Sequence, residues 1–384
     1  MALEIIAFIP LTVWCYLLIG HGGFWRCAER DSDDFPPPRW PRVAIVIPAR
    51  DEAACIGRCL ESLFGQDYGG PFRVVVVDDN SSDGTAAVAR RTARDCHAEH
   101  RLTIVAGAPL SPGWTGKLWA LWQGIGEAVG EEGDAPEYLV LTDADIVYAP
   151  MVLSWLVAHA RNRGDVLTSL MVKLNCDSLS ERFLIPAFVF FFQMLYPFAW
   201  VNRRDRATAA AAGGCMLIRA EALRRAGGIE AIREALIDDC ALAKRLKAQG
   251  PIWLGLTTRV TSIRSYPSWR DIAAMVSRSA YAQLNYSPLL LAGTVAAMTL
   301  VYLVPPVATL TASGTAFLFG ASAWALMAIL YQPVLRLYRL SPLWGLALPA
   351  VAFAYVLFTI ESALASRRGQ GGLWKGRFQA ARAK

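Results

Sequence analysis

Val74 to Val77 are four consecutive valines, and two aspartates follow them at once. A β-branched run without polar alternation reads as a strand buried on both faces, so the chain must build a layered fold around it. The same pattern recurs on either side. Val43–Ala49, "VAIVIPA", ends in Arg50-Asp51-Glu52, and "YLVLT", Tyr138 to Thr142, ends in Asp143-Ala144-Asp145. Segments of helical character lie between these strands. "DEAACIGRCLESLF" carries Ile56, Cys59, Leu60 and Leu63 at helical spacing, and "SSDGTAAVARRTA" opens on capping residues. A further strand, "RLTIVAG", precedes a helix in "GKLWALWQGIGEA". This alternation predicts an α/β domain with a mostly parallel, Rossmann-like sheet, in which ligands bind beyond the carboxyl ends of the strands.

Three acidic clusters at one sheet edge repel each other unless a cation joins them. Asp143 and Asp145, one residue apart after a buried strand, suit a hard divalent ion, Mg2+ or Mn2+, whose remaining positions go to water and substrate phosphates. No GxGxxG follows the first strand, which removes the dinucleotide-binding signal. The eight cysteines include no CxxC pair and the four histidines do not cluster, so neither a disulfide scaffold nor a zinc site is expected. A net charge of +6 over 384 residues, with no long basic block, argues against a nucleic-acid groove.

Hydrophobic residues make up 54% of the chain and charged residues 18%, an apolar excess pointing to a membrane protein. Residues 1–24 contain an apolar run from Ile5 to Gly20, read as an uncleaved anchor because Glu4 stands where a signal peptide is basic, and Arg26 and Arg30 follow. Residues 25–42, with "DSDDFPPPRWP", read as a stiff linker. The α/β domain is expected over 43–285. Transmembrane helices are expected over 286–366, as Pro288–Leu310, Ala316–Val334 and Leu346–Ala363, with a basic tail over 367–384. Pro305 and Pro306 mark where the first of these could break and turn back. Inside the domain, the aromatic stretch 183–201, with Pro186, Pro197 and flanking arginines, is expected to lie in the membrane interface, a buried core helix being the alternative.

As a set and in this order, "VAIVIPARDEA", "VVVVDDNSSDGT", "LVLTDAD", "GGCMLIRAEALRRAGG" and "LIDDCALAKRLKAQG" resemble the family 2 glycosyltransferases of the GT-A fold. "PGWTGKLWAL" and the membrane arrangement are most similar to the subgroup associated with bacterial hopanoid biosynthesis, itself similar to ceramide glucosyltransferases. The resemblance implies that Pro48, Arg50 and Glu52 line the nucleotide pocket and that Asp79 bonds the base or ribose, with Asp78 structural. Lys117 is implied to meet the base or diphosphate, a solvated lysine being the alternative. Asp143 is implied to face the ribose or sugar, and Asp145 the metal-bound diphosphate. Asp239 takes the place of the catalytic base, and Asp238 stands where the family usually has Glu. Gly213, Gly214 and Cys215 are implied to let the backbone approach the sugar or acceptor. Of the Gln-x-x-Arg-Trp motif of processive relatives only Arg278 remains, as a diphosphate contact, which argues against a polymer-extruding synthase.

The activity implied is metal-dependent, inverting transfer of one sugar from a nucleotide-diphosphate sugar, by resemblance a UDP-hexose, to a lipid acceptor hydroxyl. The expected setting is the bacterial inner membrane, with a multi-pass chain whose catalytic domain faces the cytoplasm. A polyprenyl-phosphate acceptor would use the same donor site. From another class, a non-catalytic membrane protein that binds a nucleotide sugar would carry the same fold.

Overall fold

The computed structural model describes residues 2–31, 39–130 and 135–378. The acidic and proline-rich part of the expected linker, 32–38, and the end of the basic tail, 379–384, lie outside the described residues. The chain divides into two units, Glu29–Leu174 with Trp200–Arg264, and Met1–Ala28 with Asn175–Ala199 and Ser265–Lys384.

The first unit is built on one eight-stranded sheet. Its strands are β1 (Val43–Ala49), β2 (Phe72–Asp78), β3 (Leu102–Ala106), β4 (Tyr138–Leu141), β5 (Ile146–Tyr148), β6 (Leu167–Lys173), β7 (Met216–Arg219) and β8 (Ile252–Ser262). They lie in the order β3-β2-β1-β4-β7-β6-β8-β5. The first four run parallel, as do β6 and β8, whereas β7 is antiparallel to β4 and β6 and β5 is antiparallel to β8. A Rossmann-like half is thereby joined to a mixed half.

Every residue of β1 is buried, as the unbroken apolar run requires. Ile45, Ile47, Val74 and Val76 share a core with Ile56, Cys59, Leu60 and Leu63 of the helix Ile56–Phe64. Each such aliphatic side chain contributes about 1.5–3 kcal/mol on burial. The helix Gly116–Val129 approaches the sheet at Gly124, where a Cβ would lie 2.6 Å from Val46 and 2.7 Å from Val77. Residues 29–31 belong to this unit. Leu256 N–H donates to the Glu29 carbonyl (2.8 Å), and Arg259 Nε donates to Asp31 Oδ2 (2.7 Å).

The second unit is helical. Leu179–Val201, Pro288–Thr311, Gly314–Leu337 and Pro342–Arg367 are long and apolar enough to cross a membrane, and Leu3–Ile19 is a shorter apolar helix. Ile19, Leu289, Leu310 and Leu343 are 74–82% exposed, an apolar surface suited to lipid and costly in water. The run from Pro288 does not break at Pro305 and Pro306. A π turn, Thr299–Leu303, precedes them and the helix continues over Val304–Thr311. Prolines cannot donate to the helical ladder, and a π turn absorbs the mismatch. The Val301 carbonyl within that turn accepts a bond from Trp14 Nε1 (3.1 Å). The stretch 183–201 falls on the helix Leu179–Leu195, which starts in a Ser178/Glu181 capping box, and on the short helix Phe198–Val201. Leu184, Ile185, Ala187 and Phe190 along it are fully buried.

Candidate active site

The turns after β1 and β2 are laced together before any ligand is considered. Asp51 (φ 50°) accepts from the Ser82 N–H at Oδ1 (2.8 Å), and Asp83 Oδ2 accepts from the Ala53 N–H (2.8 Å). Glu52 N–H donates to Thr85 Oγ1 (2.9 Å). Asp78 Oδ1 accepts from the Ser81 N–H (3.0 Å), so this carboxylate shapes the turn. Asp79 is fully buried, and Arg50 closes over it with Nη1 2.6 Å from its carbonyl and 4.0 Å from Oδ2. Pro48 is buried within β1, in register with Val77.

A second cluster forms where β4, the helix Gly116–Val129 and the helix Asp238–Lys247 meet. Lys117, near the start of its helix, places Nζ 3.0 Å from Asp143 Oδ1 and 3.3 Å from Asp238 Oδ2. Asp239, in the first turn of its helix, accepts from Gly213 N–H at Oδ2 (3.0 Å) and from Cys240 N–H at Oδ1 (2.7 Å). One ammonium therefore links the acidic end of β4 to the pair of aspartates opening the later helix.

The electrostatics follow from crowding. Burial raises Asp239, Asp238 raises it further and Lys117 opposes both, leaving the carboxyl pushed up to about 6. Burial works to lower Lys117, yet Asp143, Asp238 and Asp239 together hold the ammonium well above its ordinary range. The Asp143 side chain is 36% exposed. It is still held above its ordinary value, by desolvation first and by Asp145 as well, with Lys117 acting the other way.

Gly213 sits against this cluster, where a Cβ would lie 3.2 Å from Lys117 Nζ and 3.5 Å from Asp239 Oδ2. The neighbouring Gly214 carbonyl is pinned by Thr142 Oγ1 (2.8 Å) and Tyr148 OH (3.2 Å). Gly213→Ala is expected to shift both charged groups by tenths of an ångström and lower turnover roughly tenfold. Stability should change by less than about 1 kcal/mol. Parallel turnover and melting measurements separate the two effects. Cys215, by contrast, is fully buried in the core, where desolvation pushes its thiol up to about 12. Its side chain packs in the core, so an approach to the sugar at this position belongs to the backbone.

The end of β8 supplies two residues that the strand-end argument missed. Ser262 Oγ donates to Asp145 Oδ2 (2.8 Å), and Arg264 bridges Asp145 Oδ2 from Nε (3.1 Å) and Glu52 Oε1 from Nη2 (2.6 Å). "TTRVTSIR" lacks the apolar run that betrays β1, β2 and β4. Its signal was a β-branched alternation ending in a cation. Arg278 lies on the helix Trp269–Gln283 of the other unit and is not among the residues this unit brings together.

No group of three His, Cys, Asp or Glu side chains able to hold a metal occurs among the described residues. Both side-chain hydrogen bonds to Asp145 fall on Oδ2. The donor set therefore fits an ion held by one or two carboxylates, Asp145 and Asp143, that takes its other ligands from water and phosphate, and not one caged by protein.

A family model described as "Glycosyltransferase like family 2" matches residues 41–262. The chain belongs to this family. Its sheet is the GT-A, Rossmann-like mixed sheet. The mannosyltransferase PcManGT from Pyrobaculum calidifontis, solved in complex with GDP-Man and Mn2+, shares the fold with a TM-score of 0.54 at 21% identity, over 94% of this chain and 99% of that one. An N-acetylglucosaminyltransferase from Rhizobium leguminosarum bv. viciae is 30% identical over 174 residues, 45% of this chain and 38% of the relative. A 4,4'-diaponeurosporenoate glycosyltransferase from Staphylococcus aureus (strain MRSA252) is 33% identical over 107 residues, 28% of this chain and 24% of that protein. The match thus spans less than two fifths of the length of either relative.

Proposed function

We propose that this chain is an inverting glycosyltransferase that moves one sugar from a nucleotide-diphosphate sugar, a UDP-hexose, to a lipid hydroxyl. The observation that carries the proposal is the Lys117 bridge, because it sets Asp238 and Asp239 beside the acidic end of β4. Asp239, fixed through two backbone N–H groups, takes the proton from the acceptor hydroxyl as its oxygen attacks the anomeric carbon. The bond to the diphosphate breaks on the opposite face, so the anomeric centre inverts. Asp79 and Arg50 receive the nucleoside. Asp145, with Asp143, would hold Mg2+ or Mn2+, which when bound would stabilise charge on the departing diphosphate.

The four apolar helices of membrane-spanning length among the described residues support an acceptor presented from a bilayer, and the relative named for 4,4'-diaponeurosporenoate supports a non-sugar acceptor. The narrower assignment to a hopanoid-type or ceramide-like acceptor rests on "PGWTGKLWAL" and the placing of the apolar helices. The setting proposed is a bacterial inner membrane with the catalytic unit on the cytoplasmic side, where nucleotide sugars are available.

The test is release of nucleotide diphosphate by the full chain in lipid nanodiscs. UDP-hexoses and GDP-mannose are supplied in turn, with Mn2+ or a chelator, with and without bacterial lipid extract. Release that needs metal, rises with lipid and is lost in Asp239→Ala is expected. Its rate should also fall about tenfold per pH unit below roughly pH 6, as Asp239 takes up a proton. Tight nucleotide binding without release under any condition would overturn the assignment in favour of a non-catalytic binding protein.

A further inference from the structure

Arg264 lies where a divalent ion at Asp145 would meet it. Its guanidinium spans two carboxylates from different strand ends, Asp145 after β4 and Glu52 after β1, whose side chains are only 10% and 9% exposed. Ser262 holds the same Asp145 oxygen. Two such buried carboxylates repel each other unless a positive charge sits between them. Arginine stays protonated at any working pH, so this charge leaves only when another charge displaces or attracts it. Arg264 keeps 32% of its side chain exposed, which leaves it room to turn.

We propose that Arg264 is a resident counter-ion that competes with the divalent cation for Asp145, so that metal enters with the nucleotide diphosphate and not before it. The proposal rests on the nucleotide-sugar reading of the site. In the free chain an ion at Asp145 is opposed by a like charge at contact distance. An arriving diphosphate supplies negative charge to both cations, and Arg264 moves from the carboxylates to the phosphates as the metal binds. The guanidinium then acts on the leaving group, a role none of the sequence motifs assigned.

The test is Mn2+ binding followed by electron paramagnetic resonance on the full chain in nanodiscs, first without nucleotide and then with UDP. Without nucleotide, Arg264→Gln should bind Mn2+ about tenfold or more tightly than the unaltered chain. Arg264→Lys, which keeps the charge, should stay close to the unaltered chain, and adding Asp145→Asn to Arg264→Gln should remove the gain. UDP should tighten Mn2+ binding far more in the unaltered chain than in Arg264→Gln. If Arg264→Gln alone does not fold, the charge-balanced pair Arg264→Gln with Glu52→Gln is compared with Glu52→Gln alone, and the same gain is expected. Equal or weaker Mn2+ binding after loss of the guanidinium, or Arg264→Lys matching Arg264→Gln, overturns the proposal. Calorimetry with UDP and GDP separates the two ideas. Nucleotide binding without the Mn2+ gain removes the counter-ion and leaves the transferase, whereas the gain without binding of either nucleotide keeps the counter-ion and removes the nucleotide-sugar reading.

Discussion

Asp239→Asn is expected to stop sugar transfer while donor binding persists. The replacement keeps the side-chain shape and removes the proton acceptor, a loss worth about 10^2 to 10^4 in rate for a general base. It should also change how stability depends on pH. The folded carboxyl titrates at about 6 against an ordinary 3.8, so between those values the folded chain holds a proton that the unfolded chain has released. Stability therefore falls as pH rises through that window and stays lower at neutral pH. Asparagine does not titrate there, so the melting temperature of the variant should gain on the unaltered chain between pH 4 and pH 7. Transfer rates, nucleotide calorimetry and melting curves at both pH values check the three statements separately. Undiminished transfer would remove Asp239 from the role of base.

Lys117→Met should be nearly as damaging, by a different route. It leaves Asp143, Asp238 and Asp239 without their shared cation. Removing one partner of a buried pair costs about 3–5 kcal/mol. With a third of Asp143 open to solvent, about 2–3 kcal/mol is expected here. Since Lys117 opposes the upward pressure on Asp239, its loss should also move the acid limb of any residual turnover to higher pH. A merely structural lysine would lower stability without moving that limb. The pH–rate profile of the variant decides between them.

What could be read from the sequence followed from burial on two faces. β1, β2 and β4 are unbroken apolar runs because helices cover both sides, and each ends in the acids that the site uses. β5 is three residues long, too short for periodicity to register, β7 is a four-residue strand that ends in an arginine and runs straight into a helix, and β8 is rich in Thr, with an exposed residue in its middle. Arg264 was hidden for that reason, since an unrecognised strand has no recognised end. Nothing in "PGWTGKLWAL" says that Lys117 reaches two separate acidic motifs, because that bridge depends on the angle at which its helix crosses the sheet.

The position of β7 has a consequence for how the chain is made. This strand is seventh in the sequence yet lies between β4 and β6, and no pairing joins those two directly. A ribosome adding about 5–20 residues per second takes roughly 4 to 15 seconds to go from the end of β4 to the start of β7. β4 presents an open edge throughout that interval and β6 does so once it has been made, and an open edge is a template for pairing with the wrong partner. The apolar helix that starts at Leu179 is synthesised within the same interval. A nascent chain that is handed to the membrane at this helix must therefore keep a half-finished sheet waiting outside. Substitutions that slow insertion of that helix should cost yield through aggregation of the emerging sheet, even where the finished protein would have tolerated them.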